Sequence, residues 1–74
     1  MTLNEMLTAV QTDNVSDELI DALTEFYWDF DPYGIMEEYG GHIGDKGVRK
    51  AVADNVRYLL RNDKDTLLSD LSSN

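Results

Sequence analysis

The chain has 74 residues, the length of one small domain, and we assign residues 1–74 to a single domain. It carries 15 acidic and 6 basic residues, for a formal net charge of −9, which excludes a simple binder of DNA, RNA or an anionic membrane. It has no cysteine for a disulfide or a thiolate metal site, and its hydrophobic content of 42% argues against a disordered chain.

The first predicted helix begins at Thr2. Thr2 and Glu5 match a capping box, in which each side chain accepts a hydrogen bond from the other residue's backbone N–H. Apolar residues then recur at the spacing of one helical face, at Leu3, Met6, Leu7 and Val10. The polar residues 11–14 predict a turn after this helix.

The second predicted helix follows Ser16, which is the expected N-cap. Val15 and Ile20 occupy the two positions of a hydrophobic staple across that cap. The helix presents a wide apolar stripe made of Leu19, Ile20, Leu23, Phe26, Tyr27 and Phe30. Pro32 lacks a backbone donor and restricts Asp31, so the helix should end there.

The second half of the chain predicts three more helices. A short helix covers residues 32–39, and a loop with four glycines covers residues 40–47. A long helix runs from about residue 46 to 61, a short last helix covers residues 66–71, and residues 72–74 should fray. No segment alternates with period two, so we expect an all-α bundle of three main helices with one or two short ones.

The charges are distributed unevenly along the chain. Residues 1–45 contain eleven acids and no Lys or Arg, whereas all six basic residues lie within residues 46–64. Such asymmetry favours an electrostatic partner, although a solubilising surface is the alternative interpretation.

The second helix carries acids at every fourth position, at Asp17, Asp21, Glu25 and Asp29. Because four residues advance a helix by a little more than one turn, these acids share one slowly winding face opposite the apolar stripe. Like charges at this spacing destabilise a helix by about 0.2–0.5 kcal/mol per pair. Positions that break a local stability rule are where function is expected. A merely solvated face remains the alternative.

A row of carboxylates on a helix presents regularly spaced negative charge, as a strand of phosphates does. Trp28 projects beside these acids, where it would be an exposed interface anchor unless it covers an adjoining helix. We expect Asp31, Glu37 and Glu38 to extend the row beyond Pro32. The candidate partner-binding residues are Asp17, Asp21, Glu25, Trp28, Asp29, Asp31, Glu37 and Glu38.

The sequence gives little support for catalysis or for binding of a metal or a cofactor. His42 is the only histidine and no serine is placed beside it, so we do not expect an enzyme. No segment completes an EF-hand or a phosphate-binding loop, so we expect no metal and no cofactor. The acyl carrier motif is also absent, because Ser16 precedes its acid rather than following one.

In its size, its acidity, its cation-free residues 1–45 and its row from Asp17 to Asp29, the chain resembles small acidic counter-defence proteins of phages and mobile elements. These include anti-restriction and anti-CRISPR proteins, several of which imitate DNA. The resemblance is one of type, and it implies a partner that is a nuclease, a defence complex or another DNA-binding host protein.

We therefore expect a cytoplasmic, non-enzymatic inhibitor that binds a basic DNA- or RNA-binding protein, without contacting nucleic acid or a membrane itself. Two alternatives stay open. An immunity protein or antitoxin would neutralise a basic toxin nuclease by the same physics. A homodimeric structural or regulatory subunit would complete its apolar faces with a second copy.

Overall fold

A computed structural model of the chain describes residues 1–30, 32–39 and 44–73. These residues form five helices and no strand, which confirms the all-α expectation: α1 (Leu3–Gln11), α2 (Asp17–Phe30), α3 (Pro32–Tyr39), α4 (Gly44–Asn62) and α5 (Lys64–Ser72). The longest helix, α4, packs against α2, α3 and α5, while α1 packs against α2 and α5. Within the described ranges, none of these helices has both the length and the apolar character that crossing a membrane requires.

Both predicted N-terminal caps are present. The Glu5 N–H donates to Thr2 Oγ1 at 3.1 Å and the Thr2 N–H donates to Glu5 Oε1 at 2.9 Å, which completes the capping box. That second bond lowers the pKa of the Glu5 carboxyl below its usual value. At the start of α2, Ser16 Oγ accepts from the Leu19 N–H at 3.1 Å. These caps fix where the two helices begin.

The turn between α1 and α2 closes as a Schellman motif. The Asn14 N–H donates to the Ala9 carbonyl at 2.9 Å and the Asp13 N–H donates to the Val10 carbonyl at 3.3 Å. This geometry places Asp13 in the left-handed region with φ 61°, a position where glycine is more usual. The Asp13 carboxylate lies 2.6 Å from Lys64 Nζ, so the turn is tied to the start of α5.

Two predicted helix starts are wrong. The expected loop over residues 40–47 extends too far, because α4 already begins at Gly44; residues 40–43 lie outside the described residues. The last helix begins at Lys64 rather than Thr66, because Asp63 is its N-cap and accepts from the Thr66 N–H at 3.4 Å. It also continues through Ser72, where fraying was expected.

One hydrophobic core holds the helices together, and it contains most residues of the predicted apolar faces. Its fully buried members come from four different helices: Val10, Leu19, Leu23, Val56, Leu67 and Leu71. Thr24 is also buried, and its hydroxyl donates to the Ile20 carbonyl at 2.8 Å. The buried side of α2 is therefore wider than the apolar stripe predicts.

Helices α2 and α4 run antiparallel. Near the end of α2, Glu25 and Trp28 contact Arg49 in the first half of α4. Near its start, Ile20 shares a groove with Arg57 and Leu60 in the second half of α4. This arrangement sets which charges of the two helices lie at the same level.

Candidate functional site

The outer face of α2 carries the acidic row, which we define as Asp17, Asp21, Glu25 and Asp29. All four residues are exposed. Each lies about 6 Å further along the helix axis than the one before and is rotated by about 40°. Leu19, Leu23 and Phe26 lie on the opposite side of α2, so the acids are separated from the apolar core, although the buried Thr24 projects next to Asp17.

Arg49 reaches the acidic row from α4. Its guanidinium pairs with the Glu25 carboxylate and lies 5.7 Å from the centre of the Trp28 ring. Trp28 is half-buried against the core, which agrees with the alternative that it covers an adjoining helix. The physical reason is the packing of α4 along that flank of α2, which a helix projection of α2 alone does not include.

The other three acids of the row keep uncompensated charge. Among the described residues, no Lys or Arg forms an ion pair with Asp17, Asp21 or Asp29. Each carboxylate is free to accept charge-assisted hydrogen bonds from a cationic surface. Glu25 has to exchange or share Arg49 in order to do the same.

An apolar groove borders the acidic row on the side of α1. We call it the α1–α2 groove; its volume is about 410 Å³ and its apolar lining consists of Met1, Met6, Ala22, Phe26 and Phe30. Glu25 and Asp29 stand at its rim. Phe30 is 44% exposed and stacks on Phe26 with 5.3 Å between ring centroids. A side chain of a partner can therefore enter apolar surroundings next to carboxylates.

The acids beyond Pro32 do not simply continue the row. Glu37 and Glu38 are both exposed on α3. Glu38 lines a different cavity, beside Tyr27 and Asp70, which lies on the opposite side of α2 from Glu25. Because α3 packs against α4 as well as α2, the chain turns away from the axis of α2. Glu38 is therefore set apart from the acidic row, while a role of Glu37 and Glu38 in partner binding stays a prediction; Asp31 lies outside the described residues.

Sequence reasoning does not identify Met1 and Phe30 as lining residues of the α1–α2 groove. The sequence places Phe30 in the apolar stripe of α2 and gives no signal for Met1. A signal was present, because Phe30 is the last residue before the helix must end near Pro32, where few neighbours remain to cover a large ring. The exposed Phe30 ring lies next to Glu25 and Asp29, so the α1–α2 groove is a mixed apolar and acidic surface.

Comparisons with protein-family models, with curated proteins and with solved structures give no match to this chain.

Proposed function

We propose that this protein is a non-enzymatic inhibitor that binds the basic nucleic-acid-binding surface of another protein, such as a nuclease or a defence complex, and blocks access to it. The observation that carries the proposal is the acidic row, three of whose four carboxylates have no ion-pair partner among the described residues. The target would be a host-cell protein in the cytoplasm.

The acidic row supports the proposal through its charge and spacing. Its members extend over about 18 Å of a rigid helix, with about 6 Å between neighbours. A surface that binds nucleic acid offers Arg and Lys at comparable intervals, and it can pair with carboxylates as it does with phosphates. The net charge of −9 would also steer the two proteins together at low salt.

The α1–α2 groove adds apolar contact area, which the acidic row alone does not provide. Carboxylates alone give an interface that weakens steeply with salt, whereas apolar contact persists at high salt. Phe30 and Met1 are 44% and 48% exposed, so they present apolar area directly beside Glu25 and Asp29. A basic segment with an apolar side chain would fill the groove while its cations pair with the rim.

The same groove favours the immunity-protein alternative as a second candidate function. A decoy that imitates DNA needs charge and little shape, whereas a cognate inhibitor of one toxin nuclease needs a shaped apolar contact. Phe30→Ser separates the two. We expect it to weaken a cognate immunity complex at least tenfold and to weaken a general DNA decoy much less.

The decisive experiment is a capture from host lysate, followed by titration of the captured nuclease or DNA-binding protein. The test variant combines Asp17→Asn, Asp21→Asn, Glu25→Gln and Asp29→Asn. Because these side chains are exposed, the variant should keep or raise its stability, since it loses three like-charge pairs. We expect its affinity for the partner to fall at least tenfold and its inhibition to disappear.

A matched control separates the acidic row from net charge. Asn4→Lys, Gln11→Lys, Ser69→Lys and Ser72→Lys change exposed residues of α1 and α5 and raise the net charge by the same four units. This control should retain inhibition. If the acidic-row variant still inhibits fully, the row is only a solvated face and the proposal fails.

A further inference from the structure

The outer side of the α2–α4 pair carries two ridges of opposite charge. On α4, the cations Lys46, Lys50, Arg57 and Arg61 are all exposed and project within about 60° of one another. We call them the basic ridge. On α2, rotation about the helix axis in the direction of the chain leads from the buried face to the flank that contacts α4 and then to the acidic row. On α4, the same rotation leads from the buried face to the flank that contacts α2 and then to the basic ridge. The basic ridge and the acidic row therefore face the same way, side by side.

Little of this charge is neutralised within the chain. Among the described residues, one ion pair joins the two helices, between Glu25 and Arg49. In the middle of the basic ridge, Asp54 lies 3.1 Å from Arg57 and 4.0 Å from Lys50. The two ends of the ridge, Lys46 and Arg61, have no ion pair in the described part of the chain.

The antiparallel course of α2 and α4 brings opposite charges to the same level at both ends. Because Glu25 is level with Arg49, Asp29 is level with Lys46 at one end. At the other end, the same register puts Asp17 level with Arg57, one turn before Arg61, where Ile20 shares a groove with Arg57 and Leu60. The acids and cations at each level sit on neighbouring helices, about 8–10 Å apart between axes.

We propose that this face binds a second copy of the chain, related by a two-fold axis parallel to α2 and α4. That axis lays the acidic row of each copy over the basic ridge of the other, with Asp29 opposite Lys46 and Asp17 opposite Arg57, within one turn of Arg61. A two-fold axis across the helices would instead set acidic row against acidic row. Charge complementarity therefore selects one symmetric arrangement.

A groove at one end of the face supplies apolar contact for this dimer. It has a volume of about 520 Å³, and it is lined by Val15, Ile20 and Leu60 together with Arg57, Arg61 and Lys64. Val15 is 49% exposed although the hydrophobic staple predicts that it packs on Ile20. The start of α2 in the second copy, with Asp17 beside Arg57 and Arg61, would cover it.

The dimer is expected to be weak. A face two helices wide and as long as α2 measures about 20 Å by 20 Å, or roughly 800 Å² over both copies, which is below the size of stable specific interfaces and in the range of weak ones. Association would cover the acidic row, so a second copy and a basic partner would compete for it. The inference does not rest on the proposed function, because it needs only this chain.

The test is a charge-swap cycle read by sedimentation velocity at low salt. One variant combines Lys46→Glu and Arg61→Glu, and the other combines Asp17→Lys and Asp29→Lys. Each variant alone sets like charges against each other at both ends of the dimer, so each should dimerise at least tenfold more weakly than wild type. Their mixture restores opposite charges throughout and should form a heterodimer at wild-type strength.

Net charge and folding are controlled separately. Asn4→Glu, Gln11→Glu, Ser69→Glu and Ser72→Glu lower the net charge by the same four units as Lys46→Glu with Arg61→Glu, away from the face, and should still dimerise. Circular dichroism checks that every variant is helical. The inference is overturned if the wild type stays monomeric at about 1 mM, if either swap variant dimerises like wild type, or if the folded variants do not associate when mixed. The Lys46→Glu, Arg61→Glu variant keeps the acidic row, so its binding to a basic partner tests the proposed function independently.

Discussion

Tyr27 makes a side-chain hydrogen bond between two helices at the edge of the core. Its hydroxyl donates to Asp70 Oδ2 at 2.7 Å and joins α2 to α5 across a partly buried site. Burial, and then the hydrogen bond and charge of Asp70, raise the pKa of Tyr27 well above its usual value. The raised pKa means that this tyrosine stabilises the fold fully below about pH 10 and loses that contribution as the pH rises further.

Tyr27→Phe keeps the ring and removes the donor, so Asp70 loses its partner. We expect the free energy of unfolding to fall by about 1–2 kcal/mol in urea at neutral pH. Tyr58→Phe is the matched control, because Tyr58 is 61% exposed and its change should stay within about 0.5 kcal/mol. Between pH 9 and 11, wild type should lose stability more steeply than Tyr27→Phe. Equal slopes for the two proteins would contradict the assignment.

At the scale of elements, α5 depends on its cap. Asp63 accepts from both the Thr66 N–H at 3.4 Å and the Thr66 hydroxyl at 2.7 Å. The helix is only 9 residues long, so it has little intrinsic stability, yet it buries Leu67 and Leu71 in the core. We expect Asp63→Ala to lower the free energy of unfolding by about 1 kcal/mol, measured by urea denaturation.

Two further substitutions test whether the cap is responsible. Asp63→Asn keeps an oxygen acceptor and should cost much less than Asp63→Ala. Asp65→Ala removes an exposed acid from the same turn without touching the cap, and its effect should stay within about 0.5 kcal/mol. If Asp65→Ala lowered the free energy of unfolding as much as Asp63→Ala does, the effect would come from negative charge at the start of the helix and not from the cap.

The elements could largely be predicted from the sequence because caps and periodicity act locally. The Thr2–Glu5 box and the Ser16 cap depend on residues three apart, and both are present. The failures arose where one local signal outweighed another. Glycines at 44 and 47 suggested a loop, but both lie within α4, and the capping capacity of Asp63 was overlooked.

The candidate site was predictable only on α2 itself. Helix geometry places the acidic row correctly, since exposure there depends on α2 alone. The burial of Trp28 depends on how α4 crosses that flank, and the position of Glu38 depends on how the chain turns near Pro32. Such relations are set by tertiary packing, and a projection of one helix does not contain them.

At the scale of the whole molecule, two electrostatic effects oppose each other. A net charge of −9 on 74 residues makes the folded state repel itself. Four ion pairs among the described residues act against this, but all are at least partly exposed, and exposed pairs contribute about 0–1 kcal/mol each. Since the acidic row itself consists of like charges at close spacing, repulsion should dominate.

This balance predicts that salt stabilises the protein. Raising NaCl from about 20 mM to about 500 mM shortens the Debye length from about 20 Å to about 4 Å, which is less than the spacing of the acidic row. Because repulsion dominates, screening then removes more repulsion than attraction. We expect the Tm to rise by about 4–8 °C, which corresponds to about 1 kcal/mol in a domain of this size. The acidic-row variant with Asn and Gln should show a smaller rise, because part of the repulsion is already gone. A Tm that falls with NaCl would mean that the ion pairs around Arg49, Asp54 and Lys64 outweigh the net charge.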